Sequence, residues 1–522
     1  MSGPTNKPTA QMGTGYANTS TEIDPQLMRI AAVVILGTFM TILDTTIVNV
    51  AINDLAKEFN STLPTIQWVS TGYMLALATV IPLTGYFADR FGTKRLYLIS
   101  ITLFVLGSLL SGAAWSAESL IAFRVLQGLG GGMIMPAGMT ILTHEAGPQR
   151  MGRVMGLVGV PMLLGPILGP ILGGYFVDEV SWRWIFYVNL PVGIVALVLA
   201  SRFLHPDESK PGHPLDWKGV LLLSPGLAIF VYGLAEIASE GGFGSAKTVG
   251  PVIVGLAMVI AFVIHAARRS GALIDVNLFK KWPVAPAAGT TFLFVTAFFG
   301  TMFLIPLYLQ IVHGLSAFDS GLMIAPQGIG AMIMMPISGR LTDKTGPGKI
   351  VLTGIVFVSL AMLGLTQVDE NTSLWILGGL LFLNGLGMGS TMMPAMSAAM
   401  RTLARDEVAK TTSGLNVLQR VGGAIGTAVL AVVLTHQLQT TLPGAGGGEA
   451  GLGAIQSASP EAQSHVIPIV ADAFGHTFWW SLVIVLLTFI PAYFLPRDAL
   501  QAAPGAPGEP GAAPSAAALA AE

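Results

Sequence analysis

The chain has 522 residues, 52% of them hydrophobic and only 10% charged, where an ordinary soluble chain carries roughly 25% charge, so most of it cannot face water. A net charge of −2 with no basic tail excludes a nucleic-acid partner. Zero cysteines exclude disulfides, thiolate metal sites and cysteine nucleophiles together.

A helix crossing about 30 Å of hydrocarbon needs about 20 apolar residues, and only helices or closed barrels satisfy their backbone there. The apolar runs are too long for barrel strands. They predict an all-α polytopic membrane protein with fourteen spans, near residues 28–51, 68–87, 95–114, 119–143, 154–176, 184–201, 217–238, 248–267, 284–312, 320–339, 349–366, 373–400, 408–436 and 473–495. Residues 1–27 lack the basic-then-apolar order of a cleaved signal and read as a cytoplasmic tail. Residues 28–203 form a first bundle of six spans, 204–283 an inserted pair with linkers, and 284–496 a second bundle of six. The segment near 437–472 is expected to be a mobile outer loop, and the Ala/Pro/Gly tail 497–522 a disordered cytoplasmic one.

Charge provides an independent check, because cytoplasmic loops carry the Lys and Arg excess. With both termini inside, only Lys57, Arg183 and Lys247 of the 26 basic residues fall in outer segments, and Arg124 and Arg420 fall within spans. Removing or adding a span would scramble this asymmetry.

The chain also repeats itself. The segment from Gly85 through Asp89, Arg90, Gly92, Lys94 and Arg95 recurs from Gly339 to Lys349 at an offset of 254. Met135-Pro136-Ala137 returns as Met393-Pro394-Ala395 at 258, and the Gly165/Gly169 pair returns as Gly422/Gly426 at 257. Offsets of one sign and nearly one size, with both copies of the first segment in inner loops, predict two parallel halves.

Asp44 places a carboxylate in the apolar first span. Desolvation and a nearby cation act on such a group in opposite directions, so its protonation can switch with access. The competing reading is a structural acid locking two helices. Arg124 in span four lies within about 4 to 5 Å of Asp44's depth, inside the reach of a guanidinium, and Gln127 at i+3 shares its face. Its competing reading is an arginine snorkelling to the outer headgroups. In span five, Gly165, Gly169 and Gly173 make a smooth face, Gly174 follows, and Pro166 and Pro170 loosen the backbone into a hinge. The second half carries no intramembrane acid, since Leu381 stands 257 residues after Arg124, so proton chemistry is expected in the first half.

Several stretches resemble the major facilitator superfamily, and within it the fourteen-span drug:proton antiporter family, from about 28 to 495: Leu43-Asp44-Thr45-Thr46-Ile47-Val48-Asn49-Val50-Ala51, Arg124 through Gly130, and the Gly-Pro-x-x-Gly-Gly form of span five. The resemblance implies export by alternating access. Asp44, Arg124 and Gln127 would couple protons, and Gly85, Asp89, Arg90, Gly92, Lys94 and Arg95 would form a conformational gate. Gly165 to Gly174 would form the antiporter hinge, and Leu273 to Phe279 a lateral linker. By the same analogy Tyr308, Gln310, Gln327, Asn384 and Asn416 line a substrate cavity. Arg420 either holds an acidic substrate group or pairs with helix-end carbonyls, and Glu236 is a further candidate contact or an interfacial acid.

No Gly-x-x-x-x-Gly-Lys-Ser/Thr loop exists, because Ile350 follows Lys349. The expected partners are therefore protons, a lipophilic small molecule and the bilayer, with no cofactor, no metal and no enzyme activity, in a monomer of the plasma membrane. An exporter or flippase of lipids on the same fold stays open as an alternative.

Overall fold

The computed structural model describes residues 24–61, 63–206, 215–240, 245–269, 271–401, 403, 405–441 and 460–498. Among these the chain is helical without strands: α1 Pro25–Ile47, α2 Ile52–Glu58, α3 Leu63–Val80, α4 Thr84–Phe91, α5 Thr93–Gly112, α6 Ala117–Glu179, α7 Trp184–Tyr187 and α8 Asn189–Phe203, then α9 Trp217–Glu240 and α10 Ala246–Ala267. The remainder is α11 Val284–Ile311, α12 Ala317–Thr345, α13 Pro347–Leu365, α14 Leu374–Met400, α15 Arg405–Thr441, α16 Pro460–Leu487 and α17 Phe489–Tyr493. Thirteen helices among the described residues are long and apolar enough to cross a bilayer. The remaining predicted span, 154–176, is the part of α6 beyond Gly147, whose φ of 65° breaks an otherwise continuous helix.

Local chemistry sets these boundaries. Asp24 caps α1 by accepting the Leu27 amide, with Pro25 at the first helical position. Ser116 begins α6 with a reciprocal capping bond to Ser119, and Ser316 caps α12. Gly92 (φ 82°) and Gly346 (φ 89°) end α4 and α12, a left-handed turn open to glycine at both copies of the repeat. Large apolar side chains stay exposed along the outside, as on α10 at Ile253, Val254, Ile260 and Ile264, which is the face lipid would cover. Trp115 and Trp375, the most exposed indoles, sit at equivalent ends of the two repeats.

In the first half α6 packs on α1, α3 and α5, while α8 packs on α1 and α5; in the second, α14 packs on α12 and α13, and α11 on α15 and α16. The halves meet chiefly through α6 against α12, with further contact of α6 with α14 and α15 and of α15 with α4. The inserted α9 and α10 form a hairpin, and α9 lies over the seam between α3 and α15.

Three expectations change. The Gly85 to Arg95 segment is not a loop: α4 carries the helix to Phe91 and only Gly92 interrupts it before α5, because a helix leaving the bilayer has no reason to stop while its polar side chains meet water. The first span tightens to a 3-10 helix at Val48–Ala51 rather than running on as α-helix. The loop near 437–472 is shorter than its composition suggests, since α15 extends to Thr441 and α16 starts at Pro460. The expectations for 1–23, for 442–459 and for the tail from 499 fall outside the described residues.

Candidate functional site

Asp44 lies one turn before α1 tightens, in a stretch where Thr41, Thr45 and Thr46 each turn their hydroxyls back onto carbonyls of the preceding turn. Such back-bonds loosen a helix. The carboxylate is 0% exposed. Its Oδ2 accepts Arg124 Nη1 at 2.5 Å, and its Oδ1 accepts Gln127 Nε2 at 2.8 Å and Asn189 Nδ2 at 3.0 Å.

Arg124 is itself fully enclosed. It donates to Gln127 Oε1 at 2.8 Å and to the Val69 carbonyl at 3.3 Å, and its guanidinium lies 4.0 Å from the Tyr73 ring centre. Asn189 also donates to Ser108 Oγ at 3.1 Å, and Ser108 donates to the Phe186 carbonyl at 2.8 Å. Elements α1, α3, α5, α6 and α8 thus meet at one ion pair. Every group touching the carboxylate is a donor, so the arrangement fits its ionised form, and a protonated Asp44 would need an acceptor. The Asn189 Oδ1 atom is buried without a hydrogen-bond partner, so rotation of that amide would supply one.

The sequence brought Asp44, Arg124 and Gln127 together by depth and face but did not single out Asn189, Ser108 or Tyr73. The signal available was a lone asparagine in the apolar run after Trp184, which hydropathy alone reads as interfacial. Replacing Asn189 with Leu removes a hydrogen bond to a charged group, worth about 1.5–3 kcal/mol. A fall of several degrees in the melting temperature of the purified protein is expected, with helical content retained; an unshifted transition would mean that the amide only fills space.

The repeat offset leads to a second polar cluster. An offset of 257 carries Asp44 and Gln127 to Thr301 and Asn384, and the offset of 254 found at the gate segment carries Ser108 to Met362. There Thr301 Oγ1 meets Ser481 Oγ at 2.5 Å, and both hydroxyls meet Met362 Sδ at 3.6 Å. Asn384 shares with Thr301 and Met362 a small cavity walled by Phe294, Phe298, Val358 and Val485. The second half keeps the position but holds no ionisable group in it.

At the face carrying both copies of the gate segment, Asp89 Oδ2 lies 3.9 Å from Lys410 Nζ, and Asp343 Oδ2 lies 3.8 Å from Arg153 Nε. The two pairs cross the seam in opposite senses: the first half supplies the acid in one and the base in the other. The repeat relates Asp89 to Asp343 and Arg153 to Lys410. At Gly85 α4 packs against the Lys410 backbone, and a Cβ there would lie 3.5 Å from the Lys410 Cα, an ordinary contact that does not by itself require glycine. Lys94 acts within its own half, donating to the Ser201 and Leu204 carbonyls at the end of α8. Arg90 and Arg95 are exposed.

Against α1, a Cβ on Gly165 would lie 2.5 Å from Ile42 Cγ2, and one on Gly169 would overlap the Thr46 hydroxyl. Thr46 Oγ1 also donates to the Gly165 carbonyl at 3.1 Å. Gly173 is buried one turn further on, whereas Gly174 has nothing within 4 Å of such a Cβ. The backbone is helical through Pro166 and Pro170, whose side chains fall outside the described ones.

The remaining candidates do not converge. The Tyr308 hydroxyl donates to the Asp369 carbonyl at 2.7 Å, against Phe474 and His313. Gln327 is buried, and its helix backs closely onto Gly385; Gln310 is half-buried nearer the end of α11. Asn416 donates to the Thr412 carbonyl at 2.8 Å. Glu236 is half-buried on α9, and Arg420 is exposed on α15 beside Met74.

Repeated helical halves, seamed by reciprocal ion pairs and enclosing an acid–base pair in one half, define a multi-pass membrane transporter and not an enzyme. The chain belongs to the major facilitator superfamily, whose profile matches residues 34–427. It is 42% identical over 508 residues to a Mycobacterium tuberculosis protein called multidrug resistance protein B homolog, covering 94% of each chain. It is also 31% identical over 396 residues to the multidrug export protein EmrB of Haemophilus influenzae, covering 76% of this chain and 78% of that one. The fold matches the human organic anion transporter MFSD10 with a TM-score of 0.60 at 15% identity, over 89% of this chain and all of that one. It matches the proton:xylose symporter XylE at 0.56 and 12%, over 89% and 94%. The protein resides in the plasma membrane.

Proposed function

We propose that the chain is a drug exporter that exchanges lipophilic small molecules for protons by alternating access. The observation that carries this reading is the enclosed Asp44, bonded by Arg124, Gln127 and Asn189 inside a membrane-spanning bundle. Those donors compensate its charge, and movement of α1 against α6 and α8 would take them away from it. The names borne by the relatives at 42% and 31% identity support drug export.

The face bearing Asp89 and Asp343 is taken as cytoplasmic, in line with its Lys and Arg excess. The two crossed ion pairs then hold that side shut, the conformation from which substrate leaves outward and a proton enters. Opening the cytoplasmic side separates both pairs, and reclosing restores them. Reconstitution into liposomes tests the reading. An imposed pH gradient is expected to drive accumulation of a lipophilic dye against its own gradient, with proton flow that depends on the dye. Dye movement indifferent to the pH gradient would remove proton coupling from the mechanism.

A further inference from the structure

Of the two arginines within spans, Arg124 is enclosed and paired, while Arg420 is exposed. Arg420 lies ten residues along α15 from the gate residue Lys410, or about 15 Å at 1.5 Å per residue, which places it well inside the membrane. Among the described residues no carboxylate forms an ion pair with it. Its Nη1 meets Met74 Sδ at 4.0 Å, across the seam on α3.

The helical period shows where it points. Val417, Val421, Ala424, Ile425 and Ala428 pack toward the inserted hairpin, and Gly422 and Gly426 press on Phe292 and Thr296 of α11. Arg420 falls on the third face with Ser413, Asn416 and Thr427, toward the first half and away from lipid. On the lipid side the seam is roofed by α9, where Trp68 stacks on Tyr232 at 5.7 Å. An exposed cation at this depth is costly unless water or a ligand meets it.

We propose that Arg420 is the recognition point for an anionic head group, so that the transported molecules include amphiphiles bearing a carboxylate, sulfonate or phosphate. This deepens the export reading and rests on it. A guanidinium presents a planar fork of donors that matches those groups, and Met74 beside it suits a variable apolar body. Asp44 cannot serve an organic cation in the same way in this conformation, because it has no exposed surface and both its oxygens are engaged. The charge choice also has an energetic consequence. Trading one inward proton for one outward monoanion moves two charges down an inside-negative potential, and each charge multiplies the attainable gradient by about fifty per 100 mV.

The test uses the full-length protein in lipid nanodiscs at a single pH, so that no proton flow is required. Two probes share one aromatic body and differ in charge: dansylglycine, a carboxylate, and dansylcholine, a quaternary ammonium. Wild type is expected to bind dansylglycine at least about tenfold more tightly, the size of one charge-assisted hydrogen bond. Arg420→Gln is expected to erase that preference by weakening dansylglycine alone, and Arg420→Lys to restore part of it. Preference for dansylcholine in wild type, or equal loss of both probes in Arg420→Gln, would overturn the assignment. Phosphatidylglycerol nanodiscs separate the sources of the head group: competition with dansylglycine identifies a bilayer lipid, and its absence a free amphiphile, the anion assignment standing in both cases. Failure here leaves the proton reading intact, since that is read by pH-driven exchange and not by probe charge.

Discussion

Asp44→Asn is expected to abolish exchange driven by a pH gradient, reducing dye movement to the level of protein-free liposomes. An amide at this position cannot carry a proton across, whatever its geometry. The substitution also has a structural cost, because it leaves Arg124 as an uncompensated charge in a fully enclosed site. Removing one member of a buried ion pair typically destabilises by about 3–5 kcal/mol, while removing both with matched side chains is close to neutral. The double variant Asp44→Asn/Arg124→Gln is therefore expected to regain most of the melting temperature that Asp44→Asn loses, and to remain uncoupled. That separation is the decisive part of the experiment. If coupling returned together with stability, the ion pair would be scaffold and the proton carrier would lie elsewhere. Pairing dye flux with thermal unfolding on the same preparations checks both halves of the prediction.

The contrast between the halves sharpens this expectation. Thr301 and Asn384 occupy the positions that the repeat assigns to Asp44 and Gln127, and their surroundings of Phe294, Phe298 and Met362 contain nothing that could neutralise a charge. That position holds an ionisable group in one half and none in the other, although both are built to one plan. The same plan explains the crossed ion pairs. Each half lends an acid from the end of one helix and a base from the start of another, so a symmetric seam closes with two weak, partly exposed pairs. Exposed pairs are individually worth about 0–1 kcal/mol, which suits the proposed role of contacts that form and break in every cycle.

Much of this was legible from residue order because lipid constrains a chain so strongly. Spans follow from apolar length, and the Asp44–Arg124–Gln127 pairing follows from depth and helical face. What composition could not convey was sideways neighbourhood. Asn189 and Ser108 reach Asp44 from α8 and α5, and nothing in their local sequence separates them from polar residues that merely end a span. Arg153 and Lys410 were absorbed into the general excess of basic residues on one face, which explains their presence without naming their partners. The Gly85 to Arg95 segment looked like a loop because hydropathy falls there, yet hydropathy reports where the membrane ends and not where a helix does. Tyr308 and Asn384 were grouped by polarity and family analogy; one is fixed to the Asp369 carbonyl and the other lines a cavity inside the second half.

Gly169→Ala and Gly174→Ala should behave in opposite ways, although the two residues belong to one motif. The added methyl at 169 would overlap the Thr46 hydroxyl, which is held by carbonyls on both α1 and α6, while the methyl at 174 meets nothing within 4 Å. Overpacking of this kind typically costs about 1–3 kcal/mol when neighbours can shift. Here the shift would push α1 away from α6 within one turn of Asp44. Displacement on the order of 1 Å is enough to degrade a preorganised site about a hundredfold, because hydrogen bonds of 2.5 to 3.0 Å around the carboxylate have no slack to absorb it. Gly169→Ala is accordingly expected to lower both the melting temperature and pH-driven exchange, and Gly174→Ala to leave both near wild type. Equal behaviour of the two variants would show that the glycine motif governs something other than the fit of α6 against the helix that bears Asp44.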